Sequence, residues 1–347
     1  MIELPYGAEQ SFRPHHADIN VIGSFLGALP VRSATWQLNS GASHPFWVEP
    51  DDGSSIDFSY QYKTDSVSRL RLPYAGDFNV EIPTDHRALR AGSNDLTLRV
   101  VDADGVESET TIQLTWSAKL PEREIRLDDL SGIRSPQQLG QVVNGRWDVD
   151  PILNVVRTRG PVSPDSLLLL GPAQASQEAE YQFRYFDGSR SKYIGLSDFF
   201  VGHEFERPAI PIKPGWSTAG LATSRPRGEG AWETRLWIAD GDRPGWRPSS
   251  AEEEPAGGRI HLVRTDPAVY FEFTPRRWYH VRHRLEVAKQ RVRASLRVWP
   301  VGSTEPDAWL CDESDVALDK YRHASFGLFQ HSGLPSEWRS IHLRPLG

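Results

Sequence analysis

The chain has 347 residues, 39 Lys and Arg against 46 Asp and Glu, a net charge of −7 and one cysteine, Cys311. That balance argues against a general affinity for nucleic acid. The lone cysteine excludes an intrachain disulfide, and no apolar run approaches the roughly 20 residues that span a bilayer. The length suits two domains, and 26 Pro with 28 Gly imply many turns and few long helices. The start of the chain, MIELPYGAEQSF, has neither a basic n-region nor an apolar h-region. The expectation is either an intracellular protein or a surface or extracellular one whose leader lies outside this sequence.

Residues 1–117 read as one small β-domain. Ala17 to Phe25 is strand-like, and Ser33 to Leu38 places Ala34, Trp36 and Leu38 on one face. Asp57 to Tyr62 and Phe78 to Ile82 alternate strictly, while Asp85 to Leu89 reads as a single helical turn. Asn94 to Trp116 holds two alternating strands around Asp102-Ala103-Asp104-Gly105, a turn sequence. Short strands between turn signals indicate a β-sandwich. The pattern GDFNVEIP followed by AGSNDLTLRVVDADG resembles the immunoglobulin-like domains of bacterial surface and carbohydrate-active proteins, without the paired cysteines of antibody domains. The resemblance implies a spacer or docking module, or a structural partner for the rest of the chain.

Residues 118–126 are polar and read as a linker or a strand leading into a second domain, 127–347. Gly140 to Val149 carries a G-x-W sequence, and Leu167 to Leu170 reads as a buried strand. In Ala179 to Phe186, Tyr181, Phe183 and Tyr185 share one face, with Gln182 and Arg184 on the other. Further strands are expected at Tyr193–Phe200, Trp216–Ala222, Trp232–Ala239, Ile260–Val263 and Val269–Phe273. Asp240 to Gly258 is rich in Pro, Gly, Ser and Glu and reads as a long loop.

Two long strands then form a hairpin between Arg276 and Trp299. Tyr279, Val281, His283, Leu285 and Val287 fall on its core face, as do Val292, Ala294, Leu296 and Val298. His280, Arg282, Arg284, Ser295, Arg297 and Trp299 fall on the other. Ser325–Gln330 and Ser340–Leu343 close the domain. The run W-Y-x-V-R-x-R-L-E-V (Trp278 to Val287), then RVWP and PDAW up to Trp309, resembles the laminin-G/concanavalin A-like superfamily. The implied fold class is all-β: an immunoglobulin-like sandwich followed by a concanavalin A-like jelly roll. Members of that superfamily bind or cleave polysaccharides. Two departures are evident. The D-N-x-x-V ending is replaced by Arg339-Ser340-Ile341-His342, and no carboxylate cluster marks the structural calcium that many members carry. No cofactor is expected, and calcium is left open without ligands.

In such a jelly roll one concave sheet often holds the sugar. The expected ligand-binding residues are Gln182, Arg184, Arg235, Trp237, Arg282, Arg284, Arg297 and Trp299. Aromatic rings cover apolar sugar faces, and the planar guanidinium fork suits carboxylate or sulfate. A polysaccharide or oligosaccharide is the expected partner, anionic if the arginines share one face. The alternative reading of the face is a solvated sheet whose Arg stems cover apolar rungs. A glycosidase would need two carboxylates about 5–10 Å apart; the E-x-D-x-E motif is absent, and Glu233 stands alone. A lyase would use a Tyr or His base with Arg or Gln neutralising a uronate, for which His280 is the candidate. A third reading is a structural or adhesion protein with a protein partner. His15, His16, His44 and His86 lack metal spacing with Cys or carboxylate partners, and no metal site is expected.

Overall fold

The structure is a computed structural model. It describes residues 1–51, 71–72, 74–159, 165–186, 194–203, 212–213, 217–228, 231–239, 261–263, 271–289, 291–316, 322–331 and 335–347. The expected strand at Asp57–Tyr62 and the loop at Asp240–Gly258 lie outside the described residues.

The fold is all-β. The first eight strands are β1 (Ile2–Glu3), β2 (Glu9–Phe12), β3 (Asp18–Phe25), β4 (Ser33–Leu38), β5 (Ser43–Pro45), β6 (Asp77–Pro83), β7 (Gly92–Val101) and β8 (Glu107–Trp116). They form a sheet β1-β3-β6 facing a sheet β2-β8-β7-β4-β5. Alternation decides what faces inward: Ala34, Trp36, Leu38, Leu96, Leu98, Val100, Ile112 and Leu114 are buried with Val80 and Ile82 of the opposite sheet. The Asp102–Gly105 turn is made as the sequence predicts. Asp102 Oδ1 accepts from the amides of Asp104 (3.0 Å) and Val106 (2.8 Å), and Gly105 takes φ +85°. Asp85–Leu89 is not helical. Two successive turns occupy it, closed by His86 N–H to Pro83 O (2.9 Å) and Leu89 N–H to His86 O (2.8 Å).

The second sandwich begins with β9 (Ile125–Leu127), β10 (Gln141–Asn144), β11 (Trp147–Asp150), β12 (Val155–Thr158), β13 (Asp165–Leu169), β14 (Gln177–Tyr185) and β15 (Ile194–Gly202). It continues with β16 (Ser217–Gly228), β17 (Ala231–Ala239), β18 (His261–Val263), β19 (Tyr279–Ala288), β20 (Arg291–Pro300), β21 (Cys311–Val316), β22 (Ser325–His331) and β23 (Ser336–Pro345). One sheet runs β10-β13-β22-β15-β16-β17-β18. The other runs β11-β12-β23-β14-β19-β20-β21, with β9 beside β23. Tyr181, Phe183, Tyr279, Val281, Leu285, Leu296, Phe326, Leu328 and Trp338 pack between them.

The expected strand at Gly140–Val149 is two strands, one in each sheet. Gly145 breaks it: its φ is +74°, and a Cβ there would lie 2.1 Å from Ser166 Oγ. The chain so released turns Trp147 into the core, against Trp338 at 5.3 Å. Val269–Phe273 also differs. Its described part, Phe271–Phe273, is not a strand, and the two rings plug the end of the core against Tyr279 at 5.3 and 5.0 Å.

The first sandwich is seated on β10 through polar groups that would be costly to bury unpaired. Asn79 Nδ2 donates to Val143 O (2.8 Å), Gln141 Nε2 to Asp18 O (2.7 Å) and Arg71 Nε to Asn144 Oδ1 (2.9 Å). Arg71 also pairs with Glu81 at 2.5 Å, and Lys213 Nζ reaches both oxygens of Asp18 at 2.8 Å.

Candidate functional site

The polar face of the β14–β19–β20 sheet is a lattice set by strand register. One row runs Arg339–Gln182–His280–Trp299 across β23, β14, β19 and β20; the next runs His342–Glu180–Arg282–Arg297; the third runs Arg344–Glu178–Arg284–Ser295–Asp312 out to β21. Directly opposed side chains on one face are within reach of each other, so these rows fix the pairing.

Most of the positive charge on this face is matched. Arg284 binds Glu178 at 2.5 Å, and Arg344 binds the other oxygen of the same carboxylate. Arg282 reaches Glu180 (2.8 Å) and Glu305 (2.9 Å), and Arg297 reaches Glu305 (2.6 Å). Arg184 holds Glu337 at 2.6 Å, and Arg293 holds Asp312. Burial alone would raise the Glu178 pKa. The hydrogen bonds from Arg344 and Arg284, with the charges of Arg284 and Arg282, outweigh it and hold the carboxyl below its ordinary range. Trp309 lies over this network, 4.2 Å from the Arg297 guanidinium and 5.0 Å from that of Arg284.

The first row differs. Arg339 Nε donates to Gln182 Oε1 (2.8 Å), and its guanidinium stands 4.1 Å from the centroid of Trp278. Arg184 stacks on the same ring at 4.5 Å. Arg339 has no carboxylate within ion-pair distance among the described residues, unlike the six arginines named above. Burial, then the repulsion of Arg184, lower its pKa from the ordinary arginine value against the opposing pull of Glu337. His280 lies parallel to Trp299, with centroids 5.1 Å apart and planes at 15°. Burial pulls the His280 pKa down, against the upward pull of Glu180 and Glu305, which keeps the imidazole neutral at pH 7.

The predicted residues divide between the two sheets. Gln182, Arg184, His280, Arg282, Arg284, Arg297 and Trp299 share the face just described. Arg235, Trp237 and Glu233 lie on β17 of the other sheet, in register with Thr223, Leu221 and Arg225, and their side chains lie outside the described residues. Trp299 is 6% exposed, so its ring supports His280 from below and is no open platform. Sequence reasoning missed Arg339, and it put Trp278 on the polar face of the hairpin without counting it among the ligand-binding residues. The signal for Trp278 was its place at the head of the hairpin. Arg339 was hidden by a bulge, where Ser340 takes φ +48° and the β14–β23 register slips between Glu180 and Gln182.

On its far side the other sheet carries Val143, Leu167, Leu169, Phe200, Leu221 and Phe329 in a buried apolar cluster, with His16 of the first sandwich against Phe200 at 5.0 Å. Among the described residues no group of three or more His, Cys, Asp or Glu is arranged to hold a metal ion, and no helix is long and apolar enough to cross a membrane.

No family model matches the chain, and no curated protein matches it. Among solved structures it is similar to a carbohydrate-binding module from Bacillus subtilis (14% identity, 59% of this chain and 94% of that one, TM-score 0.35). It is also similar to a marine alginate lyase from Aplysia kurodai (10% identity, 55% and 83%, TM-score 0.35). A third is peanut lectin bound to a nine-residue peptide (14% identity, 63% and 95%, TM-score 0.34). At these TM-scores the likenesses carry no functional weight.

Proposed function

We propose that the protein recognises an anionic polysaccharide along the row Arg339–Gln182–His280, and that its two sandwiches are an immunoglobulin-like support and a concanavalin A-like jelly roll. One observation supports this reading: Arg339 is a half-buried cation whose guanidinium is oriented by Gln182 and Trp278 and, among the described residues, has no carboxylate within ion-pair distance. Its neighbours on the face are already neutralised, so a ligand carboxylate or sulfate gains most at this point. Gln182 and His280 offer further polar contacts in the same row.

The test is affinity electrophoresis of the full chain through uronate-containing, sulfated and neutral polysaccharides at low and moderate salt. Retardation confined to the anionic polymers, weakened by salt and lost in Arg339→Ala, is the expected result. Equal retardation by neutral polymers would overturn the anionic assignment. Binding to none would overturn carbohydrate recognition and turn attention to a protein partner.

A second reading, a polysaccharide lyase, has His280 in its favour, neutral and in register with Gln182 one strand from Arg339. Ultraviolet-absorbing unsaturated ends released from a uronate polymer, and their loss in His280→Ala, would establish it.

A further inference from the structure

The turn after β6 brings together two histidines that are 42 positions apart in sequence. His44 Nε2 and His86 Nε2 lie 3.4 Å from each other, on the first sandwich and far in the chain from the polysaccharide face. That separation is longer than the 2.7–3.2 Å of an ordinary N–H hydrogen bond, by a few tenths of an ångström. It matches the edge of a tetrahedron around an ion bonded at about 2.0–2.1 Å, roughly 3.4 Å.

Both rings are held in place. His44 is the cross-strand partner of the buried Trp36 and stacks on it, centroids 4.5 Å apart at 23°. Trp36 also meets the His86 ring edge-on at 5.4 Å. The His86 backbone is fixed by the two turn hydrogen bonds at Pro83 and Leu89, and Asn39 Nδ2 clamps the turn through Ala88 O (2.8 Å). Preorganised imidazoles of this kind suit borderline divalent ions.

We propose that His44 and His86 form a two-nitrogen site for a divalent transition metal such as Zn(II), Ni(II) or Cu(II), completed by water. In the apo pair, His86 Nδ1 accepts from the Ala88 amide at 3.3 Å, so the proton sits on His86 Nε2 and points at His44. Metal binding moves that proton to Nδ1, frees both Nε2 lone pairs for the ion and gives up the long Ala88 contact. The charge of the imidazole pair does not change. Cu(II) binds tightest and Zn(II) and Ni(II) more weakly, by the usual order for nitrogen ligands.

The full chain is titrated with Cu(II) and Zn(II), each as its simple salt. Electron paramagnetic resonance reads the nitrogen couplings on Cu(II). Mass spectrometry of the wild-type protein reads protection of His44 and His86 from acylation by diethyl pyrocarbonate with and without Zn(II). The expected result is one ion per chain with two-nitrogen coupling, and protection of both histidines together. In His44→Phe, which keeps a ring on Trp36, and in His86→Gln, affinity falls at least about tenfold, the loss seen even for groups that only orient a metal ligand. Absence of one-equivalent binding would overturn the site, as would binding that survives either substitution or leaves both histidines equally reactive. The wild-type protection measurement does not depend on either variant folding.

Discussion

Glu178 and Arg284 stand opposite each other on β14 and β19, and Arg284 Nε and an Arg284 terminal nitrogen meet the same Glu178 oxygen at 2.7 and 2.5 Å. The other oxygen of Glu178 takes Arg344 and faces Arg282 at 3.7 Å, with the carboxylate side chain 1% exposed. One buried acid therefore bridges Arg284 and Arg344 and faces a third guanidinium. Removing it in Glu178→Ala takes the carboxylate from Arg284 and Arg344 while Arg282 keeps Glu180 and Glu305, and the expected cost is about 3 kcal/mol of folding stability. Glu178→Gln, which keeps the acceptor oxygen, should cost less. Chemical denaturation of the two variants checks this. A loss below about 1 kcal/mol for the alanine would place the network with ordinary exposed ion pairs.

Arg282 and Arg339 should separate stability from binding. Arg282 is tied to Glu180 and Glu305, so Arg282→Ala takes the ion-pair partner from Glu180, leaves Glu305 to Arg297 alone and should cost about 2 kcal/mol. Arg339 makes no ion pair among the described residues, so Arg339→Ala should leave the unfolding midpoint nearly unchanged. Its expected effect is on the anionic polymer, where loss of a charge-assisted contact of about 1.5–3 kcal/mol weakens binding roughly 10- to 100-fold. If Arg339→Ala unfolds the protein as readily as Arg282→Ala, the orphan guanidinium is structural and the site assignment fails.

The sequence showed the hairpin well because its alternation is unbroken. Tyr279 to Val287 and Val292 to Val298 face the core as their period of two requires, with His283 fully buried among them. The balance of charge on the polar face was legible too, though it was not read: Glu178 and Glu180 share the face of Gln182 and Arg184 by the same alternation. What the sequence could not show is register between distant strands. Nothing local pairs Glu305 with Arg282 and Arg297, or sets β17 in the opposite sheet from β14. Breaks in periodicity hid the rest. Gly145 splits one apparent strand in two, and Ser340 conceals the outward turn of Arg339.

Gly145 tests the first of those breaks. A methyl group at this position meets Ser166 Oγ at 2.1 Å, Ser166 Cβ at 2.6 Å and Ser166 Cα at 2.9 Å, on a backbone with φ +74°. Moving Ser166 would disturb β13, which β10 and β22 flank. Gly145→Ala should therefore destabilise by about 2–3 kcal/mol, more than the change of backbone entropy could offset. Gly302 has a similar φ of +91° with nothing within 4 Å of the added methyl, so Gly302→Ala reports the conformational cost alone, roughly 1 kcal/mol. Equal losses in the two variants would mean that the clash with Ser166 is relieved at little cost.

Acid should weaken the fold as its buried histidines begin to take up protons. His15, at the junction of the sandwiches, is 5% exposed, and burial lowers its pKa to about 4, with a hydrogen bond to Gly171 O opposing and Arg13 adding to the fall. His283, in the second core, is lowered by burial to about 3; its Nδ1 meets Ser197 Oγ at 2.8 Å and its Nε2 has no hydrogen-bond partner among the described residues. Both are depressed in the folded chain, so the unfolded chain binds protons first as the pH drops. Their contribution is complete above about 6.5, the unfolded histidine value, and is lost progressively as pH falls toward the folded values. For His15 the full span amounts to about 3 kcal/mol. The Glu178 carboxyl acts in the same direction, but only below the ordinary carboxylate range. Unfolding free energies measured by denaturant between pH 7 and pH 5 isolate the histidines. Stability should fall steadily across that interval, and His15→Asn should flatten part of the slope. A level profile from pH 7 to pH 5 would show that neither histidine is held neutral by the fold.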